Sequence, residues 1–482
     1  MKKEELFEAL EDVDANDVRN AKEYKRRKTP VWVKWTAIAA CAALLIGAII
    51  GIPALRKGNR EQAEGPSPSG VRTVAAAYPV PDAVNLSAQD FLHSDAHWDW
   101  WSKYRASVEE SRVLQDGMDG YYAAIMREVL SAGDDNTVCS PINIYIAFAM
   151  LAEVSDGNTR QQVLDMLGAP DIETLRSSVS ALWEGNYADT PVFKSLLANS
   201  LWLNGKYTYN DETLARLSEQ YYASSFCGTP GSPEMDEALR DWTNENTGGF
   251  LSEYVKDLKL DSATVLEILS TICYKAQWTE LFLPGNTTQE VFHGTTGDTT
   301  VDMMHRTDAL GVYRTDTFTS VGLNLFDSGT MYFFLPKEGV DVNALAADPE
   351  LLAAARSSED SEKWSAPLVH LSVPKFKVSG HTDLLEIIQS LGLTDALDPA
   401  LADFTPLTTD QDDLYLSTAE HAAMVEIDEQ GVTGAAYTAL DMATGAFEPD
   451  EEIDFVLDRP FLFLVTGRDG SVLFSGIVRN IG

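Results

Sequence analysis

Residues 429–447 read Glu-Gln-Gly-Val-Thr-Gly-Ala-Ala-Tyr-Thr-Ala-Leu-Asp-Met-Ala-Thr-Gly-Ala-Phe, with the composition of an exposed loop and the alternation of a buried strand. In an extended chain every second side chain points to the same face. One such set is small or apolar: Val432, Gly434, Ala436, Thr438, Leu440 and Met442. The other set includes Thr433, Tyr437 and Asp441, which can face outward. Because small side chains gain little from local packing, the segment can change environment at low cost. The pattern predicts a loop that can become a strand, although alternation alone also fits an ordinary half-buried strand.

The segments on both sides of this stretch resemble those around the reactive loop of serpins, the serine protease inhibitor family. Upstream the match is LSTAEHAAMVEIDEQG at 416–431. Downstream it is FVLDRPFLFLV at 455–465 and LFSG at 473–476. Earlier motifs follow in the family's order: NTVCSP at 136–141, LRDWTNENTGG at 239–249, STICYKAQW at 270–278, LPKEG at 335–339 and LSVPKFKV at 371–378. The resemblance covers about residues 117 to 482.

The fold class expected is α+β, because helical and strand patterns alternate irregularly and the late strands follow one another with few helices between them. Helical spacing occurs at 121–130, 142–152 and 383–391. Strand patterns occur at 198–203, 331–335, 368–373, 424–427 and 461–466. The resemblance implies mixed β-sheets with a large central sheet, surrounding helices and an exposed reactive loop.

The resemblance implies an inhibitor that traps its target as a suicide substrate. In the family a protease cuts the reactive loop, and the cleaved loop then inserts into the central sheet as a strand and distorts the protease. The hinge that enters first would be Glu429, Gly431, Val432, Thr433, Gly434, Ala435 and Ala436. Residues 431–436 contain no charge and no proline, either of which would oppose insertion. Inhibitory members usually carry Thr or Ser at the position of Val432 and Ala at that of Gly434, and both changes keep small or apolar side chains.

The resemblance implies a scissile bond near Gly445-Ala446, at the family's usual distance from Glu429. The candidate residues around it are Met442, Ala443, Thr444, Gly445, Ala446 and Phe447. None is Arg or Lys, which argues against a trypsin-like target. Small side chains suit a shallow specificity pocket, so we expect an elastase-like or subtilisin-like serine protease as the partner. Phe447 keeps a chymotrypsin-like protease as an alternative.

A polar group beneath the opening of the central sheet is also implied by the resemblance. It would contain Ser140, Asn143, Ser270 and His421, with Trp278 beneath the point where the loop enters. Asn143 stands where the family has a second serine, and Ser270 stands where it has an asparagine. The hydrogen bonds of this group therefore cannot be copied from the family.

No enzyme signature is present: the sequence lacks a G-x-S-x-G elbow, a G-x-G-x-x-G loop, a P-loop, an H-E-x-x-H motif and a C-x-x-C pair. We therefore predict a monomeric protein that is not an enzyme and uses no cofactor or metal. His93 and His97 have metal-ligand spacing but no second ligand pair nearby, which favours a solvated helix face. The alternatives are a non-inhibitory serpin that acts as a substrate or binding module, and a membrane-anchored hydrolase on an unrelated fold.

The N-terminal part of the 482 residues suggests a membrane anchor. Residues 35–55 are apolar and uncharged, which is long enough for a transmembrane helix. Basic residues concentrate before it, so 1–34 would be a cytoplasmic tail, 56–85 a Pro/Gly/Ser-rich stalk and 86–482 an extracellular serpin-like domain of a bacterial-type member. A cleaved signal peptide and lipidation at Cys41 are the alternatives. The net charge of −38 argues against nucleic acid as a partner.

Overall fold

The computed structural model describes residues 70–482 except 79, 82–83, 85, 132, 357–361, 411–413 and 433–450. The helices of this part are α1 (Ala88–Leu92), α2 (Asp95–Arg112), α3 (Gln115–Leu130), α4 (Pro141–Val154), α5 (Gly157–Leu167), α6 (Ile172–Asn186), α7 (Asp211–Gln220), α8 (Pro233–Asn246), α9 (Ser252–Val255), α10 (Val342–Leu345), α11 (Glu350–Ala355) and α12 (Leu385–Ser390). The first strands are β1 (Arg72–Ala75), β2 (Thr137–Cys139), β3 (Ala188–Asp189), β4 (Phe193–Asn204), β5 (Ala223–Gly228), β6 (Leu266–Gln277), β7 (Thr288–Gly294), β8 (Gly297–Ala309), β9 (Val312–Arg314) and β10 (Phe318–Asn324). The later strands are β11 (Thr330–Pro336), β12 (Trp364–Ser365), β13 (Leu368–Pro374), β14 (Phe376–Asp383), β15 (Glu420–Ile427), β16 (Gly431–Val432), β17 (Glu452–Val456), β18 (Phe461–Thr466) and β19 (Val472–Val478).

Three sheets organise these strands. The largest has eight strands in the order β1-β5-β4-β6-β16-β15-β14, with β3 paired to β4. A seven-stranded sheet runs β12-β9-β10-β11-β18-β19-β2, and a four-stranded sheet runs β17-β13-β8-β7. The predicted α+β fold with a large central sheet is thus confirmed.

The core lies where apolar residues occur without interruption. Every residue of β18 and β19 is buried, which explains why these strands read as continuous apolar runs rather than as alternating ones. Helix α4 begins with Pro141, a residue suited to the first turn because its missing N–H would be unpaired there anyway. The helix is buried along nearly its whole length and packs against β6 and β19, so it forms the floor of the central sheet.

The N-terminal segment joins the central sheet. Strand β1 pairs antiparallel with β5, with Arg72 opposite Cys227, and lies within the stretch that the sequence analysis assigned to the stalk. The sequence pattern of this segment predicted a stalk, but the segment forms a strand because β5, at the edge of the sheet, supplies hydrogen-bond partners for its backbone groups. Residues 86–116, which precede the part that resembles the family, pack on the domain through buried Phe91, Tyr104 and Val108. A smaller difference is Asp383, which ends β14 instead of starting a helix.

The predicted membrane anchor requires correction. Within residues 70–482, leaving out the gaps given above, no helix is both long and apolar enough to cross a bilayer. Helix α4 is apolar but has 14 residues, which rise about 21 Å against a hydrocarbon core of about 30 Å. Helix α2 has 18 residues but carries charged side chains along its length. The predicted tail at 1–34 and span at 35–55 lie outside the described residues. The predicted single-pass location in the cell membrane, with an extracellular domain, is therefore wrong on this finding, and no other location replaces it.

Candidate functional site: the opening in the central sheet

The shortest strand of the central sheet separates two long ones. Strand β16 pairs antiparallel with β6, with Val432 opposite Ala276, and antiparallel with β15, with Val432 opposite Ile427. Strands β6 and β15 therefore run in the same direction on either side of it. Below Val432 no strand of the described residues lies between them. The two residues of β16 therefore separate β6 from β15 at one end of the sheet, and the two strands remain apart below them.

A cavity of about 610 Å³ occupies the space below β16, between β6 and β15. One side is formed by residues 266–271 of β6, and the other by residues 414–422, which lead into β15. Helix α4 contributes the floor through Asn143, Ile144 and Phe148. Six residues of strand span about 20 Å. The opening is therefore long and narrow, with strand edges on both sides.

A tight turn at residues 428–431 leads from β15 into β16. The carboxylate of Asp428 accepts hydrogen bonds from the backbone N–H groups of Gln430 (2.8 Å) and Gly431 (3.2 Å), which is the usual way in which an aspartate stabilises a turn. Gly431 also lies so close to β6 that a Cβ atom would overlap the main-chain oxygen of Ala276. Glycine is required here because the backbones approach closely.

Trp278 contacts this turn through its side chain and its backbone. The side chain is 1% exposed. Its indole Nε1–H donates to the carbonyl oxygen of Asp428 at 2.9 Å, and its backbone N–H donates to that of Gln430 at 3.0 Å. The ring also meets Phe282 edge to face, with centroids 6.2 Å apart. Trp278 thus combines apolar burial with two polar contacts to the turn.

The carboxylate of Glu429 ties the turn to strands outside the opening. Its Oε2 lies 3.3 Å from Nζ of Lys375, and its Oε1 accepts a hydrogen bond of 2.9 Å from Thr287. Burial acts to raise the pKa of Glu429, but its own backbone N–H, Thr287 and Lys375 together lower it. Sequence reasoning assigned no role to Lys375 or Thr287. The only signal was the place of Lys375 in the motif at 371–378, which does not reveal its partner.

The polar group predicted beneath the opening is partly assembled. Nε2 of His421 accepts a hydrogen bond of 2.9 Å from the backbone N–H of Ser140. Burial, together with the nearby His381, lowers the pKa of His421 to about 4, so the imidazole is neutral at physiological pH. Asn143, Ser270 and His421 line the same cavity. Ser140 Oγ, Asn143 Oδ1 and Ser270 Oγ have no hydrogen-bond partner among the described residues.

The remaining predicted site residues lie outside the described part of the chain. They comprise the hinge residues Thr433, Gly434, Ala435 and Ala436 and the candidate scissile residues Met442, Ala443, Thr444, Gly445, Ala446 and Phe447. Their roles stay predictions. Of the hinge, Glu429, Gly431 and Val432 are described, and Val432 already lies inside the sheet, fully buried.

Comparison with known proteins identifies the family. The family model described as "Serpin (serine protease inhibitor)" matches residues 121–481. The chain belongs to the serpin family, which is described as one of inhibitors rather than enzymes. Serpin-Z2B of Oryza sativa subsp. japonica is 27% identical over 402 residues, covering 75% of this chain and 96% of the relative. Plasminogen activator inhibitor 1 of Bos taurus is 28% identical over 382 residues, covering 73% of this chain and 89% of the relative.

Solved structures agree on the fold. The native thermophilic serpin tengpin superposes with a TM-score of 0.69 at 20% identity, covering 85% of this chain and 100% of tengpin. Native, stressed AtSerpin1 of Arabidopsis gives a TM-score of 0.65 at 26% identity, covering 78% of this chain and 98% of that one. These relatives confirm the predicted family. They lend no support to the prediction of a membrane-anchored, bacterial-type member.

Proposed function

We propose that this protein inhibits serine proteases by suicide-substrate trapping, in which cleavage of the reactive loop at about 443–447 is followed by insertion of the loop between β6 and β15. The observation that carries the proposal is the two-residue strand β16 at the top of the opening between β6 and β15. A strand added below it would pair with two free edges, and each new backbone hydrogen bond would favour insertion. The intact protein would then be kinetically trapped above a more stable, cleaved state.

The register of β16 supports this path. Continuing the antiparallel pairing of Val432 with Ala276 would place Ala436 opposite Ile272 and Thr438 opposite Ser270. Even-numbered loop residues would then share the face of Tyr274 and Ala276, both of which are buried. That is the small and apolar set of the sequence, so its alternation matches the face that an inserted strand must bury.

The same register would bring a hydroxyl to the polar group. Continuing the pairing of Val432 with Ile427 would place Thr438 opposite His421 as well as Ser270. Ser140 and Asn143 lie on the helix side of this position, at the start of α4. Thr438 is therefore the loop residue suited to the polar end of the cavity, where an aliphatic side chain would leave polar groups without partners.

The target class follows from the residues around the proposed cut. Small side chains from Met442 to Ala446 fit a shallow specificity pocket, which favours an elastase-like or subtilisin-like serine protease. The full-length chain should therefore form an SDS-stable adduct, at the summed mass, with such proteases and not with trypsin. Cleavage fragments without an adduct would instead indicate a non-inhibitory serpin that acts as a substrate.

A pair of variants tests insertion itself. Ala436→Arg would bury a charge on the core face of the added strand and should convert the inhibitor into a substrate. Thr433→Arg places the same charge on the opposite face, where the pairing of β16 with β15 would set it beside the half-exposed Glu426, and should keep adduct formation. Equal adduct yields from the two variants would contradict the proposed register.

A further inference from the structure

Two carboxylates face the opening from its opposite sides. Glu267 lies on β6 and Glu420 at the start of β15, and both line the cavity. Asp261 lines it as well, whereas the lining residues that the structure describes include no lysine or arginine. The lower half of the opening therefore carries negative charge without an adjacent fixed positive charge.

The groups packed around this pair can be identified element by element. From α9, the hydroxyl of Tyr254 donates to Oε2 of Glu420 at 3.2 Å. From β14, Nε2 of His381 lies 3.3 Å from the same oxygen. On β4, Trp202 stands opposite Glu267 and offers an apolar surface. His421, next to Glu420, faces the core and is neutral. Glu420 thus has two polar partners, while Glu267 faces it from an apolar strand.

The environment of Glu267 brings its titration close to neutrality. Burial, and then the charge of Glu420, raise the pKa of Glu267 to about 7. Below that pH Glu267 is neutral, and above it both carboxylates are charged. In the register proposed above, a strand between β6 and β15 would remove water from both groups and bring Asp441 opposite Glu267, and burying an unpaired charge there is costly.

We propose that Glu267 and Glu420 act as an acid-sensitive switch on strand insertion, which proceeds further and faster when Glu267 is protonated. The inference rests on the proposed function, since the inserting strand is the cleaved loop. The upper part of the opening, around Val432, carries no such pair, so the switch acts on completion of insertion rather than on its start. Each additional unit by which insertion raises the pKa of Glu267 would slow the reaction about tenfold at alkaline pH.

The test compares the wild-type full chain with Glu267→Gln and a control, Glu426→Gln. Glu426 lies on the same face of β15 as Glu420 but is paired with Lys377 at 3.4 Å, outside the cavity. The ratio of SDS-stable adduct to cleaved protein is measured with one protease between about pH 6 and about pH 8, one unit on either side of the pKa of Glu267. Dividing the wild-type and Glu426→Gln ratios by the Glu267→Gln ratio at each pH cancels the pH dependence of the protease.

For the wild type and Glu426→Gln we expect the adduct ratio to fall as pH rises through 7, by up to about tenfold. Glu267→Gln should keep the high ratio throughout. A wild-type to Glu267→Gln quotient that does not change between about pH 6 and about pH 8 overturns the switch while leaving inhibition intact. Absence of any adduct at every pH overturns the proposed function and the switch with it.

A second variant keeps the test decisive if Glu267→Gln does not fold. Glu420→Gln removes the neighbouring charge that helps to raise the pKa of Glu267. Its adduct ratio should therefore begin to fall at a lower pH than that of the wild type. A midpoint that stays in place, or moves to higher pH, contradicts the inference.

Discussion

Replacement of Trp278 by phenylalanine should weaken the turn that feeds β16 into the central sheet. Phenylalanine keeps an aromatic ring in this buried site but loses the indole N–H that donates to Asp428 at 2.9 Å. Leaving that carbonyl unpaired in a partly buried place costs about 1 kcal/mol. The lost ring atoms leave a small cavity that costs a further 1 to 2 kcal/mol or so. For a folded chain of this size, the sum of about 2 to 3 kcal/mol corresponds to a Tm lower by about 2 to 4 °C.

The assay is thermal unfolding followed by circular dichroism at one fixed scan rate, because unfolding of the proposed trapped state would be under kinetic control. Trp98→Phe is the matched control, since Trp98 is 66% exposed and its replacement should change stability by less than about 0.5 kcal/mol. If Trp278→Phe unfolds within a degree of the control, the indole contact does not hold the turn, and the account of this site given above is incorrect.

Three further changes probe the same region. His421→Gln should remove the loss of folding stability between about pH 6.5 and pH 4, because in that range the imidazole of the unfolded wild type binds a proton and the buried imidazole does not. Urea unfolding at each pH should show that the wild type loses up to about 3 kcal/mol of unfolding free energy, whereas the variant does not. Lys375→Met should destabilise by about 1 kcal/mol or less, since the pair with Glu429 is partly exposed, and the difference should shrink in high salt when Tm is compared. Gly431→Ala should cost about 1 to 3 kcal/mol in denaturant unfolding, because the added methyl overlaps the main chain of β6, whereas Gly285→Ala, with no atom near the new methyl, should be close to neutral.

The parts of the fold that could be predicted are those with a local signal. Residues 461–466 form a continuous apolar run and become the fully buried strand β18 with the predicted bounds. Residues 142–152 show helical spacing and fall inside α4. The alternation after Val432 stays a prediction, because both residues of β16 are buried and the segment that follows lies outside the described residues. Local periodicity reports such faces directly.

Features that depend on distant parts of the chain could not be predicted. The contact of Glu429 with Thr287 joins residues separated by 142 positions, and no periodicity encodes it. Glu267 and Glu420 lie on opposite sides of the opening because β6 and β15 stand apart, and only the assembled sheet determines that distance. Strand β1 was missed because an edge strand of four residues gains its stability from its partner rather than from its own composition.

The pairing of β2 with β19 sets a condition on biosynthesis. Cys139 lies opposite Ser475, and these residues are 336 positions apart. At about 5 to 20 residues per second, a ribosome finishes the second partner about 20 to 70 s after the first. During that interval the nascent β2 and the apolar helix after it have no completed sheet to cover them. Assembly of the interior must therefore await the release of nearly the whole polypeptide, and the emerging chain needs protection from aggregation until then.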